Sequence, residues 1–334
     1  MFDFVSTKEN VERWNISQKR ASVLCGKNRN NCEIMVANNH NSVLKPFVKW
    51  AGGKGQIVRE LEKMLPINGE KDLTKYCEPM VGGGALFFNI LSKYDFEEMY
   101  IGDINAELIN AYQVIKRNID SLIEKLQEMQ TFFWRIDKNG RKLYYYSVRE
   151  NFNTTSLCET TAIDKAADFI FLNRTCFNGL YRVNKHGQFN VPMGEYKKPK
   201  ICDFENLRNV HKALQNATIV CGDYSLSKKF IDKNTFVYFD PPYRPLSKTS
   251  SFISYTSDIF DDDAQRRLAK FVDEINKIGA KFVLSNSDPK NVNFDDTFFD
   301  ELYKEYEIKR ISASRMINSK AANRGKINEL LICN

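Results

Sequence analysis

The apolar run Phe236-Val237-Tyr238-Phe239 is followed at once by Asp240-Pro241-Pro242-Tyr243. Four consecutive aromatic or β-branched residues have the composition of a buried strand. Two prolines cannot continue it, because neither donates a backbone hydrogen bond. Each proline fixes its own φ and disfavours a helical conformation before it, so Asp240 and the Pro241 carbonyl are held stiffly at the strand's carboxyl end. Open α/β sheets place ligands at that end. A carboxylate and a carbonyl can accept both N–H bonds of an amino group carried by a heteroaromatic ring, and Tyr243 offers a face to stack on the ring. A diproline stop with a capping Asp is the alternative, and the tetrapeptide alone leaves both open.

The rest of the chain supplies the sheet. From Lys45 a β-then-α pattern begins, with an apolar entry at Phe47-Val48, a glycine turn at Gly52-Gly53 and an amphipathic helix over residues 56–65. A strand through Tyr76-Cys77 to Glu78 leads into a glycine loop and a helix over residues 85–93. Another strand, Met99-Tyr100-Ile101, leads to Asp103, with a long helical stretch over residues 107–129. Such alternation predicts a parallel sheet of Rossmann-like type. Over residues 131–205 the alternation gives way to aromatics interleaved with Arg, Lys and Asn, an insert with another purpose. Strands resume at Ala217-Thr218-Ile219-Val220, before Gly222-Asp223-Tyr224, then at residues 236–239 and 281–285. Residues 327–333 are expected as a last edge strand, hairpin-paired with residues 305–311. Residues 1–44, Asn-rich and without hydrophobic period, read as an N-terminal extension, and Met35 as an alternative start that N-terminal sequencing would test.

Net charge is +7, which favours polyanion partners without proving one. No apolar stretch approaches membrane-spanning length and the start is not of signal-peptide type, so the expectation is a cytoplasmic protein. Eight cysteines, none at C-x-x-C spacing, and three histidines offer no evident zinc site.

Glu78-Pro79-Met80-Val81-Gly82-Gly83-Gly84 lies between a strand and a helix, where glycines allow close approach to a ligand. A dinucleotide fingerprint would need a small residue at position 87, which is Phe87. An acidic start, with Asp103 at the end of the next strand, suits the nucleoside of S-adenosylmethionine, whose ribose diol wants a carboxylate. Asp103 as a helix-initiating residue is the competing reading. Lys49-Trp50-Ala51-Gly52-Gly53-Lys54 lacks the first glycine and the Ser or Thr of a phosphate loop, so it does not support an NTPase.

Taken in order, Lys49 to Lys54, Glu78-Pro79 to Gly84, Asp103, Gly222-Asp223 and Asp240-Pro241-Pro242-Tyr243 closely resemble the Dam-type, alpha-class DNA adenine methyltransferases from about residue 45 to the end. The resemblance implies a methyltransferase domain over residues 45–130 and 206–334, with residues 131–205 as a target recognition domain. It implies S-adenosylmethionine as cofactor, double-stranded DNA as partner, no metal, nucleoid association through DNA, and a possible cognate restriction endonuclease sharing the site. Trp50, Ala51, Gly52 and Lys54 would line the cofactor pocket. Glu78, Pro79, Gly82 and Gly84 would wrap the methionine end, and Asp103 would take the ribose. Asp223 and Tyr224 would lie beside the cofactor's adenine. Asp240 and Pro241, stiffened by Pro242, would grip the target amino group, Tyr243 would stack on a base turned out of the duplex, and residues 245–255 would close over it.

Residues 180–192 read as a hairpin turning near Asn184 to Gly187, and a β-ribbon can enter the major groove. By the same resemblance Asn178-Gly179-Leu180-Tyr181-Arg182 and Phe189-Asn190-Val191-Pro192 read GATC-type sites. Arg182 would contact guanine and Lys49 the outer guanine, Leu180 and Pro192 would make apolar contacts, Phe177 would wedge into the stack, and Asn178 and Asn184 complete the set. The residues alone also fit a solvated surface ribbon. The rivals are an amino-group methyltransferase acting on RNA or on a protein glutamine, and a DNA-binding relative without catalysis.

Overall fold

The computed structural model describes residues 44–50, 58–64, 73–244, 260–314 and 326–334. Met35, the glycine turn at 52–53 and the loop at 245–255 lie outside these residues, as do Ala51 and Lys54.

Seven strands form one sheet: β1 (Lys75–Glu78), β2 (Glu98–Asp103), β3 (Ala217–Cys221), β4 (Thr235–Phe239), β5 (Lys281–Ser287), β6 (Glu307–Ser314) and β7 (Lys326–Cys333), in the order β3-β2-β1-β4-β5-β7-β6. The first five are mutually parallel, as the α/β alternation predicts, and β7 runs antiparallel to both its neighbours. The expected hairpin of the last two strands forms, but the edge position is corrected. β7 lies inside the sheet and β6 at its margin. The reason is burial on both faces of β7: Leu330 and Ile332 join one core and Leu331 the other.

The same alternation runs through the parallel strands. Tyr76, Ile101, Phe236, Tyr238 and Val283 face one core, while Cys77, Tyr100, Val237, Phe239 and Leu284 face the other. The second core is closed by α8 (Asp262–Ile278), through Leu268, Val272 and Ile275, and by Phe299 of α9 (Phe298–Leu302). The first core is closed by helices α2 (Ala85–Leu91), α3 (Ala106–Arg117), α4 (Ile119–Arg135) and α7 (Phe204–Ala213), and α1 (Val58–Met64) adds Val58 and Leu61. The long stretch expected over residues 107–129 is two helices, because Asn118 at φ −131°, ψ 41° breaks α3 from α4.

Within the insert, α5 (Lys138–Thr154) and α6 (Ala162–Thr175) carry the aromatic residues inward. Tyr145, Phe152, Phe169 and Phe171 are buried in a cluster continuous with the sheet's first face. Lys165 of α6, 3% exposed, reaches Glu107 Oε1 of α3 at 2.9 Å and the Phe152 carbonyl at 2.6 Å. A buried ammonium is tolerated only when so paired, and this pair fixes α6 on α3. The expected hairpin of residues 180–192 is present as an irregular arm rather than a regular ladder. Val183 bridges Phe189 and Cys176 bridges Met193, with a turn closed by Gly187 N–H to the Asn184 carbonyl at 2.9 Å.

Candidate active site

Register alone brings the acidic residues to one edge. Glu78 pairs with Ile101, Asp103 with Cys221, and Phe239 with Leu284, so Asp223, Asp103, Glu78 and Asp240 stand at the carboxyl ends of β3, β2, β1 and β4, four consecutive strands. Glu78 is 2% exposed and accepts from Tyr76 Oη at 2.6 Å. Burial, with the charge of Asp240 adding to it, pushes its carboxyl up to about 8. Burial also raises Asp103, although the amides of Asn105, Gly82 and Ile104 bond its carboxylate. The Gly82 bond measures 3.0 Å and the Asn105 bond 2.9 Å.

These bonds fold the glycine loop over the end of β2, helped by Val81 N–H to the Gly102 carbonyl at 2.8 Å. Trp50 lies directly on the loop. A Cβ at Gly82 would meet the indole at 3.0 Å, and one at Gly83 would meet Trp50 Cβ at 2.7 Å, so neither position admits a side chain without displacing Trp50. Gly84 has a different reason. At φ 72° it caps α2, and a Cβ there would strike Tyr112 Oη at 2.6 Å.

Asp240 Oδ1 accepts from Ser285 Oγ at 3.1 Å. The diproline turn is braced from α8 and β5: Gln265 Nε2 donates to the Pro242 carbonyl at 3.2 Å, and Asn286 Oδ1 accepts from Arg244 N–H at 3.2 Å. The Arg244 guanidinium holds Asp262 through two bonds of 2.6 and 3.0 Å and Asp296 at 2.7 Å. Tyr243 Oη donates to Glu329 Oε2 of β7 at 2.7 Å. Burial together with the carboxylates of Asp240 and Glu329 keeps this phenol protonated well above its ordinary range. Asp223 is held by Arg267 of α8 at 2.9 and 3.1 Å. Burial opposes its ionisation, yet the guanidinium and the Ser225 amide keep it below the ordinary carboxylate range. Tyr224 turns into the second core, its ring edge-on to Phe271 and beneath Arg267.

The arm places its side chains differently. Phe177 is 52% exposed, and Asn178, Arg182 and Pro192 are also exposed. Arg182 Nε donates to Asn190 Oδ1 at 2.7 Å, which orients the guanidinium. Asn184 is committed to the turn: its Oδ1 accepts from His186 and Gln188 amides at 2.9 and 3.1 Å. Lys49 Nζ lies 3.3 Å from Tyr196 Oη and over that ring. Gly179, at φ 64°, lets the Lys49 side chain cross the arm, since a Cβ would sit 2.4 Å from Lys49 Cδ.

Residues 50–317 match the family described as D12 class N6 adenine-specific DNA methyltransferase. The chain belongs to this family. Among similar proteins, the type II methyltransferase M.MjaIII of Methanocaldococcus jannaschii is 50% identical over 293 residues, 87% of this chain and 99% of that protein. The type II methyltransferase M1.LlaDCHI of Lactococcus lactis subsp. cremoris is 37% identical over 293 residues, 87% of this chain and 95% of its own length. The DNA adenine methylase of Haemophilus influenzae is 36% identical over 289 residues, 86% and 92% of the two chains. The protein is therefore an adenine-specific DNA methyltransferase of mixed α/β fold, and S-adenosylmethionine is its methyl donor.

The residues of this methyltransferase fit that donor. A ligand carrying a sulfonium and an ammonium group suits an edge where the carboxyl groups of Glu78, Asp103 and Asp240 stand at neighbouring strand ends, the first two raised by burial so that a nearby cation favours their ionised form, and a pyrophosphate would not. Among the described residues no group of His, Cys, Asp or Glu is disposed to hold a metal ion, and no helix is long and apolar enough to cross a membrane.

Several residues of the enzyme's site escaped the sequence reading. Asn173 is 2% exposed. Its amide donates to the carbonyls of Lys49 and Gly179 at 2.7 and 3.2 Å and accepts the Lys49 N–H at 2.7 Å. Arg174 holds the Phe47 carbonyl at 2.7 and 3.1 Å. Glu329, Gln265 and Asn286 brace the diproline turn from sequence distances that no local motif spans. The Asn173-Arg174 pair inside an apolar helix was the one available signal.

Proposed function

We propose that this methyltransferase modifies the adenine of GATC, with residues 131–205 as its target recognition domain. The observation that carries the reading is the arm: Arg182, exposed and oriented by Asn190, lies on the same segment as exposed Phe177 and Pro192. Arginine pairs with guanine in the major groove, Leu180 and Pro192 supply apolar contact to a thymine methyl, and Phe177 enters the space left by the extruded base. Lys49 takes the outer guanine, and Asn178 and Asn184 shape the ends of the arm. Among the relatives, several are DNA adenine methylases, which supports this reading.

In the catalytic turn Asp240 and the Pro241 carbonyl accept the two hydrogens of the adenine amino group, drawing its lone pair out of conjugation, while Tyr243 stacks on the base. S-adenosylmethionine supplies an electrophilic methyl group. Asp240 need not be a strong base, because the amino hydrogen becomes acidic only as nitrogen gains its new bond to carbon. Orientation and desolvation carry most of the rate. Glu78, Pro79, Trp50 and the loop of Gly82 and Gly84 hold the methionine end of the donor, together with Ala51, Gly52 and Lys54. Asp103 holds its ribose, and Asp223 with the backbone of Tyr224 bounds its adenine.

The relatives named as type II methyltransferases also motivate a restriction-modification setting, with an endonuclease that cuts the same site. The test is to methylate unmodified plasmid and map modified adenines by single-molecule sequencing, with Asp240→Ala as control. Modification confined to GATC is expected. Modification at another motif overturns the specificity and leaves the chemistry.

A further inference from the structure

The cofactor loop and the recognition arm share a wall. Trp50, whose indole covers Gly82 and Gly83, stacks on Tyr181 with ring centroids 5.4 Å apart and planes at 23°. Tyr181 sits between Leu180 and Arg182, is 8% exposed, and packs on Phe169 and Phe189. The single side chain of Asn173 binds the backbone on both sides of this stack, at Lys49 and at Gly179. Along extended backbone, neighbouring side chains point to opposite sides. A base contact that shifts Arg182 outward therefore shifts Tyr181 on the inside by the same backbone motion.

We propose that Tyr181 is a positioning residue for the cofactor pocket: it seats Trp50 on the glycine loop, and so makes cofactor affinity depend on how the arm is engaged with DNA. The inference rests on the reading of residues 177–193 as the DNA-reading arm. By linkage the effect is reciprocal, so cofactor in the pocket tightens the arm's hold on its site by the same factor.

The experiment measures affinity for S-adenosylhomocysteine, which cannot be turned over, by calorimetry with and without a saturating 20-base-pair GATC duplex. In the wild-type enzyme the duplex is expected to tighten binding about 5-fold or more. In Tyr181→Leu the ratio is expected to fall to about twofold or less, while Tyr181→Phe, which keeps the ring, retains most of it. Trp50→Leu tests the link from its other end. If Tyr181 acts through Trp50, Trp50→Leu and the double variant show the same reduced ratio, whatever Tyr181→Leu does to stability. An undiminished ratio in Tyr181→Leu or in Trp50→Leu, or no duplex effect in the wild type, overturns the proposal. Failure of the arm reading shows separately, as unchanged site preference in Arg182→Ala.

Discussion

At the carboxyl edge of the sheet the acidic side chains are buried or half-buried and braced by neighbours, whereas along residues 177–193 several of the side chains assigned to DNA stand in solvent on an irregular arm. Glu78, 2% exposed, and Phe177, 52% exposed, mark the extremes. For the proposed chemistry the edge must hold its polar groups in place before substrate arrives, because preorganised polar groups in a desolvated site need no reorganisation during the reaction. On the proposed reading the arm must leave its groups accessible to a duplex, so its order comes from beneath. Tyr145 Oη donates to the Val191 carbonyl at 2.8 Å, and Asn153 bonds both the amide and the carbonyl of Phe189. One region fixes chemistry through its side chains; the other fixes a backbone and lets its side chains reach outward.

That contrast is sharpest at Asp240. Asp240→Ala is expected to lower turnover by about 10²–10³-fold or more while S-adenosylmethionine still binds, measured as tritium transfer beside calorimetric binding. A wild-type rate would remove the edge as the catalytic centre. On the arm, Arg182→Ala is expected to cost about 1–3 kcal/mol of discrimination at one base pair with little change in cofactor affinity. Competition between single-base variants of the site checks this, and equal losses at every position would mean a phosphate contact instead. Glu329→Gln replaces a charge-assisted bond to Tyr243 with a neutral one, and turnover is expected to fall about tenfold or less. Base-extrusion fluorescence from 2-aminopurine, placed at the target adenine, distinguishes mis-set stacking from misfolding.

The smallest effect concerns protons. Glu78 is raised from 4.5 to about 8, so between those values the folded state holds a proton that the unfolded state releases. Its contribution therefore lowers stability as pH climbs from 4.5 towards 8, and Glu78→Gln should flatten that part of a plot of Tm against pH. At pH 7 a cationic donor beside Glu78 favours its ionised form, so binding should release up to one proton, visible as a buffer-dependent heat. The same release from Glu78→Gln would place the proton elsewhere.

Much of the edge was legible from local chemistry. A diproline after four strand-forming residues can only end a strand, and the acidic residues at 78 and 103 close their strands while that at 240 follows its strand at once. The arm was legible as a motif and less so as a shape, since its expected ladder is reduced to isolated bridges around Tyr181 and Phe189, whose rings face inward into the core of the insert. The burial of Tyr224 could not be read locally either, because α8, which covers it, begins nearly forty residues later.

The sequence by itself determined the parallel strands, their acidic ends, the glycine loop and the residues of the arm, because each follows from propensity and spacing within a few residues. Tertiary structure alone decided that β7 enters between β5 and β6, that Glu329 meets Tyr243, and that Asn173 and Trp50 tie the arm to residues 49 and 82–83. The contacts of β7 with β5, of Glu329 with Tyr243 and of Asn173 with Lys49 each join residues more than forty positions apart. Their pairing is selected by which faces the folded sheet leaves to be buried, and no local pattern carries that information.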